Sequence, residues 1–109
     1  MRYGTNHEHL IATGIPYIVR RSFEWDDAKD ATNVRKHGVS FDDAVAVFND
    51  ERAIDEPDDD PDEPRFRTTG ISSAVGVLVV IYTERGRDRI RIISARKASK
   101  HEIKRYRQG

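Results

Sequence analysis

The chain has 109 residues, 37% of them hydrophobic, no cysteine, and nineteen basic against nineteen acidic residues. That length suits one domain with a modest core, and the lack of cysteine excludes a disulfide framework and thiolate metal sites. The zero net charge conceals segregation: residues 1–41 carry six basic and five acidic groups, residues 42–64 one and eleven, and residues 65–109 twelve and three, for nets of +1, −10 and +9. Such asymmetry points to a polyanionic partner for the basic part, or to one segment neutralising the other within the fold.

Residues 1–22 show no sustained periodicity. The apolar stretch LIATGIPYIV (Leu10 to Val19) is broken by Gly14 and Pro16, which suits a short strand or packed arm better than a helix. His7 and His9 fall in this part, His37 and His101 lie far apart, and no HxxxH or HExxH spacing occurs, so no metal is expected. No apolar run approaches the length of a membrane span and the start lacks the order of a signal peptide, so a soluble cytoplasmic protein is expected.

In FEWDDAKDATNVRKHG, Asp26 is placed to cap a helix over 27–37, Asp27 and Asp30 suit its positive end, and Arg35, Lys36 and His37 suit its negative end. Gly38 supplies the left-handed residue that ends it. In SFDDAVAVF, Ser40 stands three residues before Asp43, an acidic variant of the capping box, and Phe41, Ala44, Val45 and Phe48 recur at helical spacing, which predicts a helix over about 41–49. The next segment holds three prolines and a dense acidic run. It predicts a brief strand at Ala53 and Ile54, then a solvated loop over 55–64.

Beyond the loop the period becomes two. RFRTTGI (65–71), VLVVIYTE (77–84) and DRIRIISA (88–95) read as an antiparallel meander. The turn RGRD carries Gly86 where a two-residue type II′ hairpin wants it, which pairs Tyr82 with Arg91 and Ile81 with Ile92. Alternation then puts Val77, Val79, Ile81, Ile90 and Ile92 on a core face, and Leu78, Val80, Tyr82, Glu84, Arg89 and Arg91 on the other. Ser99 and Glu102 form a capping box for a short basic terminal helix. Together these elements predict a small α+β domain: an antiparallel sheet of about four strands with N-terminal helices and a short C-terminal helix.

Five arginines lie between Tyr82 and Glu102, and in the whole chain arginine outnumbers lysine fourteen to five. A planar guanidinium grips phosphate bidentately, so a strand face bearing several of them suits a nucleic-acid backbone. Exposed strand arginines also solubilise a sheet and deter edge pairing, and that reading fits Arg85, Arg87 and Arg105.

The order FEWDDAKDATNVRKHGVSFDDAVAVF, R…TTGIS, VVIYTERG and RIRIISARKASKHEIKRY, spanning Phe23 to Tyr106, resembles the BrnT family of type II toxins, similar in fold to RelE-type ribonucleases. Its two motifs, W-D-x-x-K…N-x-x-K-H-G and I-S-A-R-x-A-x-x-x-E, carry the resemblance. Residues 23–109 would then be the toxin domain and residues 1–22 an extension or arm. The resemblance implies an endoribonuclease that uses neither metal nor cofactor and arrests translation. It also implies a BrnA-type antitoxin with a ribbon-helix-helix domain, operator DNA being contacted only through that antitoxin. Chemistry in such folds is attack of the ribose 2′-OH on the adjacent phosphate, which needs a proton acceptor, cations on the phosphate oxygens and a proton donor for the 5′-oxygen.

Under this reading Arg65, Arg91 and Arg96 stabilise the phosphate and His37, titrating nearest neutrality, transfers protons; His37 also suits a helix end without any catalytic part. Lys36, Arg67, Tyr82, Arg89 and Lys97 are expected to bind RNA; Lys36 also suits a substitute base and Tyr82 a proton donor, although a last-turn lysine is more commonly just exposed and a half-buried strand tyrosine more commonly packs. Glu102 caps its helix and orients Arg96, and Trp25 anchors the first helix. The acidic run either stays an inert loop, tunes RNA access, or binds a basic antitoxin segment. The guanidinium groups are expected to converge, with the end of the first helix, on one spot that holds a phosphodiester. A binding module without catalysis, acting on RNA or as a co-repressor, and an oligomer joined through opposite charges are the other readings of the same residues.

Overall fold

The computed structural model describes residues 2–3, 7–10, 18–60 and 62–109. Part of the Leu10–Val19 stretch, residues 11–17, lies outside the described residues, as does residue 61 of the acidic run. Chain order is β1 (Arg2–Tyr3), β2 (His7–Leu10), β3 (Ile18–Trp25), α1 (Asp27–His37), α2 (Phe41–Val45) continued by a 3-10 turn (Ala46–Asn49), β4 (Ile54–Asp58), β5 (Arg65–Ser72), β6 (Gly76–Arg85), β7 (Arg89–Lys97) and α3 (Lys100–Gln108).

The predicted helix boundaries hold, because local capping sets them. The Asp26 carboxylate accepts hydrogen bonds from the Ala28 and Lys29 amides at 2.8 and 3.2 Å, and Gly38 closes α1 at φ 69°. Ser40 accepts from the Asp43 amide at the start of α2, whose last turn tightens to 3-10 rather than continuing as α-helix. Ser99 and Glu102 complete both halves of the capping box on α3.

The sheet departs from expectation in four ways. Its order is β1-β3-β7-β6-β5-β4, with β2 also paired to β3, and β3 runs parallel to β7, so the sheet is mixed rather than antiparallel. The acidic run is no loop at its start: residues 54–58 pair along β5 as an edge strand. The β6–β7 connection has three residues, Gly86 to Asp88, so Arg85 pairs with Arg89 and Tyr82 with Ile92, one residue out of the predicted register. Consequently the core face of β6 is Leu78, Val80 and Tyr82, not Val77, Val79 and Ile81. A two-to-three residue change in a turn inverts the partner strand relative to its neighbour.

The core packs between this sheet face and α2. Phe23 and Trp25 of β3 meet Phe41 and Val47, over Leu78, Val80, Ile92 and Ala95, all 1% exposed or less. Trp25 and Phe41 stand edge to face with ring centres 6.1 Å apart. Gly70 lets the 3-10 turn lie on β5: a Cβ there would sit 2.8 Å from Val47 Cγ1 and 3.0 Å from the Ala53 Cβ.

Candidate functional site

The other face of the sheet carries the arginines. On β5 it presents Arg65 and Arg67, on β6 Val79, Ile81 and Thr83, and on β7 Arg91, Ser94 and Arg96, as the pairing registers dictate. Arg91 and Arg96 are five residues apart, an odd spacing that strict alternation would send to opposite faces. A bulge resolves this. Tyr82 pairs with Ile92 but Ile81 pairs with Ser94, leaving Ile93 as an extra residue on β7. The parity switch keeps Ile92 and Ala95 in the core and turns Arg91 and Arg96 the same way.

Each guanidinium then has its own surroundings. Arg96 forms a bidentate pair with Glu102, Nη1 to Oε1 at 2.7 Å and Nη2 to Oε2 at 2.9 Å. Glu102 is itself fixed, since its Oε1 also accepts the Ser99 amide at 2.8 Å. The Arg96 guanidinium, ahead of the Ser99 bonds, holds the Glu102 carboxyl down at about 2, and Glu102 in turn raises Arg96. Arg65 binds Asp60 at 3.2 Å and Glu63 at 3.0 Å. Arg67 binds Glu56 at 3.3 Å and Asp58 at 3.0 Å, and Glu56 also takes Arg105 of α3 at 2.8 Å. Arg91, half-buried, has no ion pair or side-chain hydrogen bond among the described residues. Beside it stand Thr83 on β6 and Glu24 on β3. Glu24 is buried, and Thr83 Oγ1 is buried with no partner among the described residues.

The expected convergence of the arginines on one spot is therefore not what the structure shows. Arg65 lies two strands from β7, about 10 Å at ordinary strand spacing, and it and Arg67 are held by the acidic strand and loop. Arg91 and Arg96 share a face but stand about 13 Å apart along β7, since the Ile93 bulge sets them opposite Thr83 and Val79, four residues apart on β6. Lys36 and His37, both exposed at the end of α1, line a hollow of about 370 Å³ with Ile93 and Ser94, so they border this face between Arg91 and Arg96. Lys97 is exposed at the end of β7.

Tyr82 turns away from the arginines, to the core face. Its hydroxyl donates to Asp55 at 2.8 Å, and its ring stacks on Phe66 and meets Phe48 edge-on. It lines a separate cleft of about 300 Å³, together with Arg89 and Arg87 of the hairpin, between the hairpin and the 3-10 turn. The basic ridge of α3, with Lys100, Lys104 and Arg107 exposed, flanks Arg96 instead.

Sequence reasoning assigned no part to Asn33, which positions this edge. Its amide donates to Ala95 O at 2.7 Å and to Val39 O at 2.9 Å, and its Oδ1 accepts the Ala95 N–H at 3.2 Å. Asn33 thus acts as a surrogate strand for the edge of β7 beyond β3. A buried asparagine in mid-helix, a poor helix former inside the N-x-x-K-H-G motif, was the available signal. Asp50 was missed as well: it accepts Ile71 N and the Tyr106 hydroxyl, tying α3 to the end of β5.

A family model described as "Ribonuclease toxin, BrnT, of type II toxin-antitoxin system" matches residues 25–102. The chain belongs to the BrnT family. The crystal structure of the ribonuclease toxin BrnT from Brucella abortus, at 1.1 Å resolution, superposes with a TM-score of 0.58 and is 28% identical, covering 72% of this chain and 96% of that one. No curated protein matches. The matched residues, from Trp25 to Glu102, include Arg65, Arg67, Arg91 and Arg96. Membership makes this chain a ribonuclease toxin of a type II system, with RNA as substrate and an antitoxin as partner. No helix among the described residues is long and apolar enough to cross a membrane.

Proposed function

We propose that this toxin is an endoribonuclease that cuts RNA in the cytoplasm by attack of a ribose 2′-OH on the adjacent phosphate, without a metal ion, and so stops translation. The observation that carries the reading is that Arg91, without an ion pair among the described residues, and Arg96, held rigidly by Glu102, face the same way on one sheet. Fixed cations aimed where charge develops lower the barrier without reorganising during the step. Arg91 meets the reacting phosphate and Arg96, held by Glu102, supports it or its neighbour. His37 transfers the proton from the edge of the same face. Lys36 and the α3 cations track the backbone, with Arg67 and Arg65 on its far side, while Lys97, paired with core-facing Leu78, meets it only from the end of β7. Tyr82, on the opposite face, lies off this path, and Arg89, two residues from Arg91 at the hairpin end of β7, contacts RNA only at its flank.

Neutralisation falls to a BrnA-type antitoxin with a ribbon-helix-helix domain, operator DNA being reached only through it. The test is induction of the single gene, followed by incubation of purified protein with an RNA oligonucleotide in EDTA. Growth arrest and products ending in a 2′,3′-cyclic phosphate, both lost in Arg91→Ala, are expected. Cleavage that stops on chelation, or that survives Arg91→Ala unchanged, contradicts the reading.

A further inference from the structure

We propose that β4 and the acidic loop after it form a displaceable strap that occupies Arg65 and Arg67 with the chain's own carboxylates, in place of RNA phosphates. The inference takes its ligand from the ribonuclease reading but does not depend on which groups perform catalysis.

The register makes the strap. Antiparallel pairing sets Asp58 opposite Arg65 and Glu56 opposite Arg67, and the loop returns Asp60 and Glu63 onto Arg65 at 3.2 and 3.0 Å. Asp60 shapes that return by accepting the Asp62 and Glu63 amides. A carboxylate offers a guanidinium the same pair of oxygens that a phosphodiester does. Four carboxylates, at Glu56, Asp58, Asp60 and Glu63, therefore stand in for phosphates along β5.

The strap is built to come off. β4 is the last strand in the sheet, pairs only with β5, and buries none of its residues. Pro57 removes one backbone donor from it. The arginine side chains are 31% and 34% exposed and Arg96 is 43% exposed, so water and salt weaken all these pairs, and what sets the β5 pairs apart is that an edge strand and loop carry their carboxylates. A polyanion that brings several phosphates at once displaces them, whereas the bidentate Glu102–Arg96 pair is anchored in a capped helix and stays. The effect is a threshold on RNA binding that leaves the Arg91 side of the face open.

The experiment uses the full chain and a 2′-O-methyl RNA oligonucleotide, which binds without offering a nucleophile. Parent protein is compared with Asp58→Asn/Asp60→Asn/Glu63→Gln; Glu56 is spared because it also holds Arg105. Affinity at low salt is expected to rise about tenfold, and the slope of log affinity on log salt to steepen by about 1.4, two phosphates at roughly 0.7 each for single strands. With Arg65→Ala/Arg67→Ala added, the same three changes are expected to alter affinity by less than about twofold, because no guanidinium remains to be released. Glu63→Gln alone, outside the paired strand, gives a smaller gain in the same direction and serves if the triple variant fails to fold. Unchanged affinity, a gain that persists without Arg65 and Arg67, or no binding by any variant overturns the strap. Binding that shifts as expected while the parent leaves unmodified RNA intact keeps the strap and rejects the ribonuclease mechanism.

Discussion

The arginines of β5 and those of β7 are the same side chain on the same sheet face, yet their neighbours give them different chemistry. On β5 the carboxylates come from an edge strand and loop, two per guanidinium, all on a segment outside the core. On β7 one carboxylate, Glu102, arrives from a capped helix and grips Arg96 with both oxygens, while Arg91 has no such partner among the described residues. An arginine's part is thus set less by its own strand than by how firmly the opposing acid is held.

The comparison breaks most sharply in cleavage. Arg91→Ala and Arg96→Ala are each expected to cut single-turnover cleavage about 10²- to 10³-fold, the effect of removing one fixed donor to a developing charge. Arg65→Ala should stay within about threefold of parent at moderate salt, where its backbone contact is largely screened. Equal losses on both strands would erase the distinction.

Stability sharpens it next. Asn33→Ala leaves the Ala95 carbonyl and amide and the Val39 carbonyl unpaired at a buried edge. Denaturant unfolding is expected to show a loss of about 3 kcal/mol, with cleavage falling as β7 shifts. Gly70→Ala, which presses on Val47 and Ala53 at the other side of the core, should cost about 1–3 kcal/mol. A chain that tolerates either change unaltered would show that the two edges are not held as described.

The smallest effect is in acid. The folded Glu102 carboxyl is depressed to about 2 from an ordinary 4.5, so its contribution is complete above pH 4.5 and is lost as pH falls through about 2. In Glu102→Gln that part of the acid dependence should vanish from thermal melts between pH 4.5 and 2. A parent-like pH profile in the variant would mean that the Arg96 pair contributes nothing.

What was legible in the sequence was local. Asp26, Gly38, Ser40 and the Ser99–Glu102 box act within a turn of their helices, so α1, the start of α2 and α3 fall where capping places them. The motif arginines and Glu102 were legible too, and the Arg96–Glu102 pair follows from six residues of chain. The core face of β6 was not legible, because it depends on whether the Gly86 turn holds two residues or three. Nor was the bulge at Ile93, which a β-branched pair does not announce. The parallel partner β3 and the acidic strand β4 are long-range pairings; the run of carboxylates masked a strand whose partner is basic. The candidate residues were therefore nameable from motifs, while their grouping into an open β7 side and an occupied β5 side required the sheet.

The most direct test of that grouping is single-turnover cleavage of an RNA oligonucleotide by Arg91→Ala, with parent-like melting as the control for folding. The account predicts a rate at least about 10²-fold below parent. A well-folded Arg91→Ala protein that cleaves at the parent rate would contradict it.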